Sequence, residues 1–277
     1  MTIARPTITL LTDFGLEDEY VGVMKGVILS INAQANIVDI THHIARHRIR
    51  QAALVLNNSF PFFPEGSIHV VVVDPGVGGI RDIVCLKCKG HFFIAPNNGA
   101  LSLVALDGHA AEAVAVTNGQ FFLEPVSNTF HGRDIFAPVA AHLSMGIDIS
   151  RFGRPLLPVD IHKLNIPTPS CSSGDRLEGE VVSVDHFGNL VTNIDVDTFR
   201  RFGAVEGSAD LVIRVAGEEI RSVSGSYDAV PEGAPLAVFG SRNLLEISIN
   251  QGDARSYFNV GVGQGLTLTR ERRDESR

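Results

Sequence analysis

The chain has no long apolar run, few cysteines and no concentrated patch of positive charge. A membrane-spanning helix needs roughly 20 apolar residues, and even the strongest run, Ile68 to Val73, stops at Asp74. The opening Met1-Thr2-Ile3-Ala4-Arg5-Pro6 carries no signal-peptide hydrophobic stretch, so we expect a soluble, cytoplasmic protein with no membrane partner. The three cysteines, Cys85, Cys88 and Cys171, are an odd number and suit a reducing compartment. Cys85 and Cys88 form a C-x-x-C inside a strand-like run. Residues three apart on a strand point to opposite faces, so this pair is not expected to bind one metal. With 23 Lys+Arg against 31 Asp+Glu, the formal charge of −8 argues against a nucleic-acid partner. The only basic clusters are His42 to Arg50 and the tail Arg270 to Arg273.

Several cofactor motifs are missing too. The glycine-rich stretch after Asp74 has no Gly-Lys-Ser/Thr, so it is not a phosphate-binding loop, and it leads into a strand, unlike a dinucleotide fingerprint. His43 and His47 are four apart but lack the intervening Glu and a third ligand of a zinc hydrolase. No internal repeat is visible. We therefore expect neither a metal nor a cofactor.

At 277 residues and 44% hydrophobic, the chain can bury a large core. The pattern predicts strands at Ile8–Thr12, Ile37–Ile40, Ile68–Val73 and His91–Ile94, with helices near Glu19–Ile31, Ile49–Asn57, Ala100–Leu106 and Asp134–Ser144. Alternating short β-branched runs and amphipathic segments indicate a layered α/β sheet with helices on its faces. A proline-rich stretch with Cys-Ser-Ser-Gly follows. Beyond it come closely spaced short strands, at 177–184, 190–194, 210–215, 219–223, 235–239 and 244–249, with a helix at 196–202, the pattern of a small β-barrel. The expected organisation is an α/β catalytic domain over residues 1–155, a linker over 156–175 and a small β-barrel domain over 176–277.

Three blocks put ionisable groups where a strand meets a turn: Thr12-Asp13-Phe14-Gly15, Asp74-Pro75-Gly76-Val77-Gly78-Gly79-Ile80-Arg81 and Phe130-His131-Gly132-Arg133-Asp134. An open α/β sheet presents its ligand crevice at such places. Asp13 suits a vicinal diol, although by itself such a residue is more often a turn or helix cap. Arg81 lies seven residues after Asp74, so a folded-back loop can pair guanidinium with carboxylate, for chemistry or merely to pin the loop. Val184-Asp185-His186-Phe187-Gly188-Asn189 lies between two strands and by itself reads as a hairpin turn.

In spacing and wording these blocks resemble the S-adenosylmethionine hydroxide adenosyltransferase family, relatives of fluorinating and chlorinating enzymes, over roughly Ile8 to Leu268. The resemblance implies the same α/β domain plus β-barrel and a hydrolase that releases adenosine and methionine. Asp74, Arg81 and His131 would activate water against the ribose C5′ carbon, and Asp13 would hold the ribose diol. Asp185 would bind the methionine amino group, Asn189 the adenine, and Phe187 would stack beside it. The stretch Phe239 to Gly252 resembles the strand pair that holds the carboxylate with Ser241 and the adenine edge with backbone near Asn250 and Gln251. Arg242-Asn243 departs from the Ser-Gly often found there. Halogenating relatives carry Tyr in place of the Asp and Tyr-Ser in place of His-Gly, so this chain looks like the water-using branch. His47 stands where the family commonly has an aromatic or apolar residue, and it either lines the pocket or sits on a helix surface. The resemblance also implies a homotrimer with sites between subunits. A halide-using adenosyltransferase and a non-catalytic S-adenosylmethionine or adenosine binder are the alternatives.

The chemistry can be stated without the family. S-adenosylmethionine, the substrate the resemblance implies, is a sulfonium cation, and displacement at C5′ releases a neutral thioether. Attack by hydroxide cancels opposite charges, which a dry site favours. Arg81 and His131 can hold a water and favour its deprotonated form, while Asp74 fixes their geometry or takes the proton.

Overall fold

The computed structural model describes residues 6–105, 110–171, 175–207 and 210–270. The amino-terminal residues 1–5, Leu106, residues 172–174 of the Cys-Ser-Ser-Gly stretch and the basic tail past Arg270 lie outside these. Two units form, Met1–Asn165 and Ile166–Arg277. Among the described residues no helix is long and apolar enough to cross a membrane.

In the first unit the strands are β1 (Thr7–Thr12), β2 (Asn36–Thr41), β3 (Ile68–Val72), β4 (Ile83–Cys88), β5 (His91–Pro96), β6 (Ala110–Val116) and β7 (Gly153–Pro155). The helices are α1 (Tyr20–Ile31), α2 (Ile49–Ser59), α3 (Ser102–Ala105) and α4 (Ala137–Ser144). One sheet runs β2-β1-β3-β5-β4-β6-β7, parallel from β2 to β5 and antiparallel beyond. Side chains alternate across it as a pleat requires. Ile8, Leu10, Val70 and Val72 pack on one face with Met24 and Ile28 of α1 and Val139 and Leu143 of α4. Leu11, Val71 and Val73 pack on the other face with Ala52 and Leu56 of α2 and Val104 of α3. Val21, Met24 and Ile28 are the buried residues of α1, the i, i+3, i+7 stripe of a helix seated on a sheet. Cys85 belongs to the first face and Cys88 to the second, as expected for residues three apart on a strand.

The order of connection places the crevice. From β1 the chain passes through α1 to β2 on one side, then through α2 to β3 on β1's other side. Crossovers of one hand in opposite directions put α1 and α2 on opposite faces and leave a gap at the carboxyl ends of β1 and β3. Asp13 and Asp74 lie just past those two ends.

A buried polar chain crosses this sheet. His69 Nδ1 lies 2.8 Å from Thr9 Oγ1 and His69 Nε2 lies 3.2 Å from His91 Nδ1, with the His69 ring stacked on Phe93. His69 is fully buried, and burial, followed by the neighbouring His91, holds its pKa down to about 3. A base whose pKa is depressed on folding binds fewer protons folded than unfolded. Stability should therefore fall as pH drops from about 6.5 toward 3, by up to about 1.4 kcal/mol per pH unit. Thermal unfolding from pH 7 to 5 in the wild type and in His69→Gln checks this, and an equally steep slope in the variant would rule His69 out as the source.

The second unit contains β8 (Ser170–Cys171), β9 (Arg176–Val184), β10 (Leu190–Asp195), β11 (Leu211–Val215), β12 (Glu218–Arg221), β13 (Pro235–Phe239), β14 (Leu244–Ile249) and β15 (Gly265–Arg270), with α5 (Val196–Arg201) and α6 (Ala254–Phe258). The order is β12-β11-β15-β9-β10-β14-β13, antiparallel throughout, with β8 against β9. A bridge from Ser224 to Val238 brings the chain leaving β12 back to β13, so the sheet curls into a nearly closed barrel around one apolar core. The N–H of Thr198 donates to Asp195 at 2.6 Å and starts α5.

Candidate active site

The Asp74 loop turns back on itself. Val77 N–H donates to the Asp74 carbonyl and Gly79 N–H to the Gly76 carbonyl, bringing Arg81 against the strand end it left seven residues earlier. Arg81 Nε donates to Asp74 Oδ1 at 3.1 Å and Oδ2 at 3.0 Å, and Arg81 Nη2 donates to Asp74 Oδ2. The side chains are only 14% and 4% exposed, so the pair is desolvated. Arg81 Nη2 also lies 3.0 Å from His131 Nδ1. A guanidinium has no lone pair to offer, so His131 Nδ1 accepts and the ring proton sits on Nε2. Burial lowers the His131 pKa, the Arg81 charge lowers it further, and Asp74, Asp134 and a backbone hydrogen bond with Ser127 oppose them. His131 is thus a neutral imidazole in a fixed tautomer. Both Asp74 oxygens accept from Arg81.

His131 is delivered by a widened helical turn, Gly132–Phe136, that runs into α4. Such π-type turns recur at functional sites because they re-aim one residue without ending the helix. Asp134 in this turn is completely buried. It accepts from Arg133 Nε at 2.6 Å and from the Ser127 N–H at 2.8 Å, tying down the approach to His131. Burial pushes its pKa up, but the Arg133 and Ser127 hydrogen bonds outweigh this and the net shift is downward. Gly78 lets the two loops meet. Its φ is +75°, and a Cβ there would stand 2.3 Å from the Asn128 carbonyl oxygen.

Asp13, Asp74 and His131 line one cavity of about 320 Å³; Arg81 does not line it and is joined to it through its bonds to Asp74 and His131. An aromatic wall of Phe14, Tyr20 and Phe130, with ring centroids 5.0 to 6.0 Å apart, closes part of it. Asp13 Oδ2 accepts the His47 main-chain N–H at 2.9 Å. His47 has φ +65° in a turn ahead of α2, so it is not on a helix surface, and it lines the cavity.

A second cavity, of about 630 Å³, lies in the second unit and is lined by Asp185, Phe187, Asn189, Ser241, Arg242 and Gln251. Asp185 Oδ1 accepts from the Phe187 and Asn189 N–H groups at 2.9 Å, and Oδ2 from the Asn189 side-chain amide at 2.8 Å. The hairpin-turn reading of Asp185 is therefore correct as far as it goes. A carboxylate offers about four acceptor positions, and three are used. Phe187 is 73% exposed at the rim, with the His186 ring edge-on to it at 5.8 Å. Asn250 is turned to other work: its side-chain amide donates to the Val230 carbonyl at 2.7 Å, its N–H to Ala234, and its carbonyl accepts from Gly233. Of the residues singled out in the second unit's sequence, it alone does not line this cavity.

Two further polar side chains of the lining were not singled out from sequence. Tyr227 donates its hydroxyl to Glu246 Oε2 at 2.8 Å. Burial raises the Glu246 pKa, with Asp185 adding and Tyr227 and Arg242 opposing; burial and Glu246 push Tyr227 up to about 12. The signal for Glu246 was available, as an acidic residue amid Leu245 and Ile247 in an apolar strand. Tyr227 had none, because only the barrel brings its loop to β14. Among the described residues no cluster of three or more His, Cys, Asp or Glu could hold a metal ion.

Residues 8–153 match the SAM hydroxide adenosyltransferase N-terminal domain and residues 179–267 match its C-terminal domain. The chain belongs to the SAM hydroxide adenosyltransferase family. A Salinispora arenicola protein named (R)-S-adenosyl-L-methionine hydrolase is 34% identical over 269 residues, covering 96% of this chain and 98% of its own. A fluorinase from an Actinoplanes species is 28% identical, covering 96% and 98%. The crystal structure of an uncharacterized conserved protein from Thermotoga maritima superposes with a TM-score of 0.88 at 40% identity, over 95% of this chain and all of that one. Relatives of this chain thus carry both hydrolase and fluorinase names.

Proposed function

We propose that the protein hydrolyses (R)-S-adenosyl-L-methionine to adenosine and L-methionine. The observation that carries this reading is the Arg81 guanidinium joining Asp74 to neutral His131 at the crevice. In the proposed step, a water oxygen attacks ribose C5′ as the C5′–S bond breaks. The sulfur keeps the bonding pair and leaves as the thioether of methionine, and the water proton passes to solvent. None of the bonds to Asp74 or His131 uses Arg81 Nη1, which leaves donors of fixed orientation for a hydroxide-like nucleophile. Asp74 serves as the orienting partner, because its oxygens are already paired with Arg81. Asp13 would accept the ribose hydroxyls. In the second cavity Ser241 and Arg242 would take the carboxylate, and the remaining acceptor position of Asp185 the ammonium, with Asn189 and Gln251 toward the base and Phe187 against it. The reaction needs no cofactor beyond the substrate itself. Three free cysteines fit a cytoplasmic setting.

Reaction in oxygen-18 water with excess chloride tests the proposal. The expected products are adenosine labelled once, at the 5′ oxygen, and free methionine. Unlabelled adenosine, free adenine or a 5′-chlorinated nucleoside as main product would remove the hydroxide mechanism.

We propose a homotrimer in which neighbouring subunits complete each site, because this reading assigns the substrate's contacts to two cavities, one in each unit. Exposed Leu16, Val77 and Ile80 beside the first cavity's loops fit an interface. Asp13→Ala and Asp185→Ala should each be weak, and mixed oligomers of the two should regain part of the wild-type activity. An active monomer in light scattering would contradict this.

A further inference from the structure

We propose that Thr12 and His42 are positioning residues that hold the Asp13 carboxylate for the ribose diol; the inference rests on the adenosyl reading given above. Thr12 is the last residue of β1 and is fully buried, and its hydroxyl accepts the Phe14 N–H at 3.2 Å. Asp13 is therefore bracketed inside a turn closed by its neighbour's hydroxyl, a local device that Ser and Thr supply at strand ends. With that N–H occupying one lone pair, the Thr12 proton is free to donate, and His42 Nδ1 lies 2.9 Å away. The His42 ring proton then sits on Nε2, which faces Asp39 Oδ1 at 3.1 Å. That contact is not aligned as a hydrogen bond, and among the described residues Nε2 has no other partner. Asp39 is itself fixed by Lys25 Nζ at 2.6 Å. His42 is 2% exposed.

The main chain repeats the same link. Gly15 N–H donates to the His42 carbonyl at 2.8 Å, and Ile44 N–H to the Thr12 carbonyl at 3.3 Å. With the His47 N–H on Asp13 Oδ2, the segment after β2 grips the β1 turn by backbone on its outer side and by one buried side-chain pair beneath it. His42 and Thr12 do not line the cavity, so their effect on substrate must pass through Asp13. The backbone bonds alone set where the turn sits. The Thr12–His42 pair sets the rotation of the peptide between Asp13 and Phe14, which fixes where the carboxylate points.

Calorimetric titration with adenosine and with 2′,3′-dideoxyadenosine tests this, since only the first carries the diol. The wild type should bind adenosine more tightly. Thr12→Val keeps shape and removes the hydroxyl; it should weaken adenosine by about tenfold, the scale of one lost hydrogen bond, and leave dideoxyadenosine unchanged. Thr12→Ser should restore adenosine binding to within about twofold, on the same reasoning. His42→Phe, which keeps a ring and removes the acceptor, should repeat the selective loss and serves if Thr12→Val does not fold. Equal losses for both nucleosides, or no loss, would overturn the positioning role while leaving the adenosyl reading intact. A wild type that does not prefer adenosine would instead overturn the Asp13 assignment, and this inference with it.

Discussion

Replacing Arg81 with alanine should lower kcat by about two to three powers of ten while substrate affinity changes by only a few fold. The magnitude is that of removing a preorganised donor from a site where charge reorganises in the transition state. The loss has two parts. In the proposed mechanism the guanidinium is the donor that holds the nucleophile, and among the described residues it is the group that ties Asp74 to His131. Arg81→Lys should recover little of the loss, since an ammonium cannot bond both Asp74 oxygens and His131 Nδ1 from one plane. Because the His131 pKa is lowered, chiefly by burial, the site keeps its neutral imidazole on mild acidification. The acid limb of kcat should therefore lie below the ordinary histidine value of 6.5. Full turnover in Arg81→Ala, measured by adenosine release, would remove the residue from the mechanism.

Gly78→Ala should reduce kcat/KM by about a hundredfold, although the added group is a single methyl far smaller than the cavity. Its Cβ would meet the Asn128 carbonyl oxygen at 2.3 Å, and φ at +75° is strained for any side chain. The contact is with backbone, so a loop must move. Either the Asp74–Arg81 loop lifts or the 128–131 segment retreats, and the Arg81–His131 bond is the first to stretch. Misplacement by about 1 Å is enough for an effect of this size. Gly76→Ala is the control. Its Cβ would make only ordinary contacts, at 3.6 Å to Arg81 Cδ and 3.8 Å to Asp74 Oδ1. Near-wild-type activity in Gly76→Ala beside a large loss in Gly78→Ala, with circular dichroism unchanged in both, is the expected pattern. Equal activity in the two would show that the close approach of the loops does not matter.

What the sequence made legible followed from local periodicity. Ile8-Thr9-Leu10-Leu11 and Ile68 to Val73 announce buried strands because β-branched and apolar residues run without interruption, and Val21, Met24 and Ile28 announce a helix because their spacing lines one face. β6 was missed because its start, Ala110-Ala111-Glu112-Ala113, has no β-branched signal and becomes a strand by pairing with β4. β15 was missed because its partners, β9 and β11, are remote in sequence. The widened turn at Gly132–Phe136 has no local signature either, and a regular helix was read only from Asp134.

The same division holds for the site. The sequence by itself determined that Asp13 and Asp74 end apolar strands, that Arg81 is close enough to Asp74 to fold back on it, and that the chain carries the words of its family. These depend on chain connectivity over a few residues. Only the tertiary structure decided that β1 and β3 are neighbours with the crevice at their ends, that His131 accepts from Arg81 and so holds its proton on Nε2, and that Asn250 is spent inside the barrel. It also decided that Tyr227 meets Glu246 and that His42 lies beneath the Asp13 turn. Each of those is a contact between segments tens of residues apart, and such contacts are set by which apolar faces pack together, a property no short stretch of sequence contains.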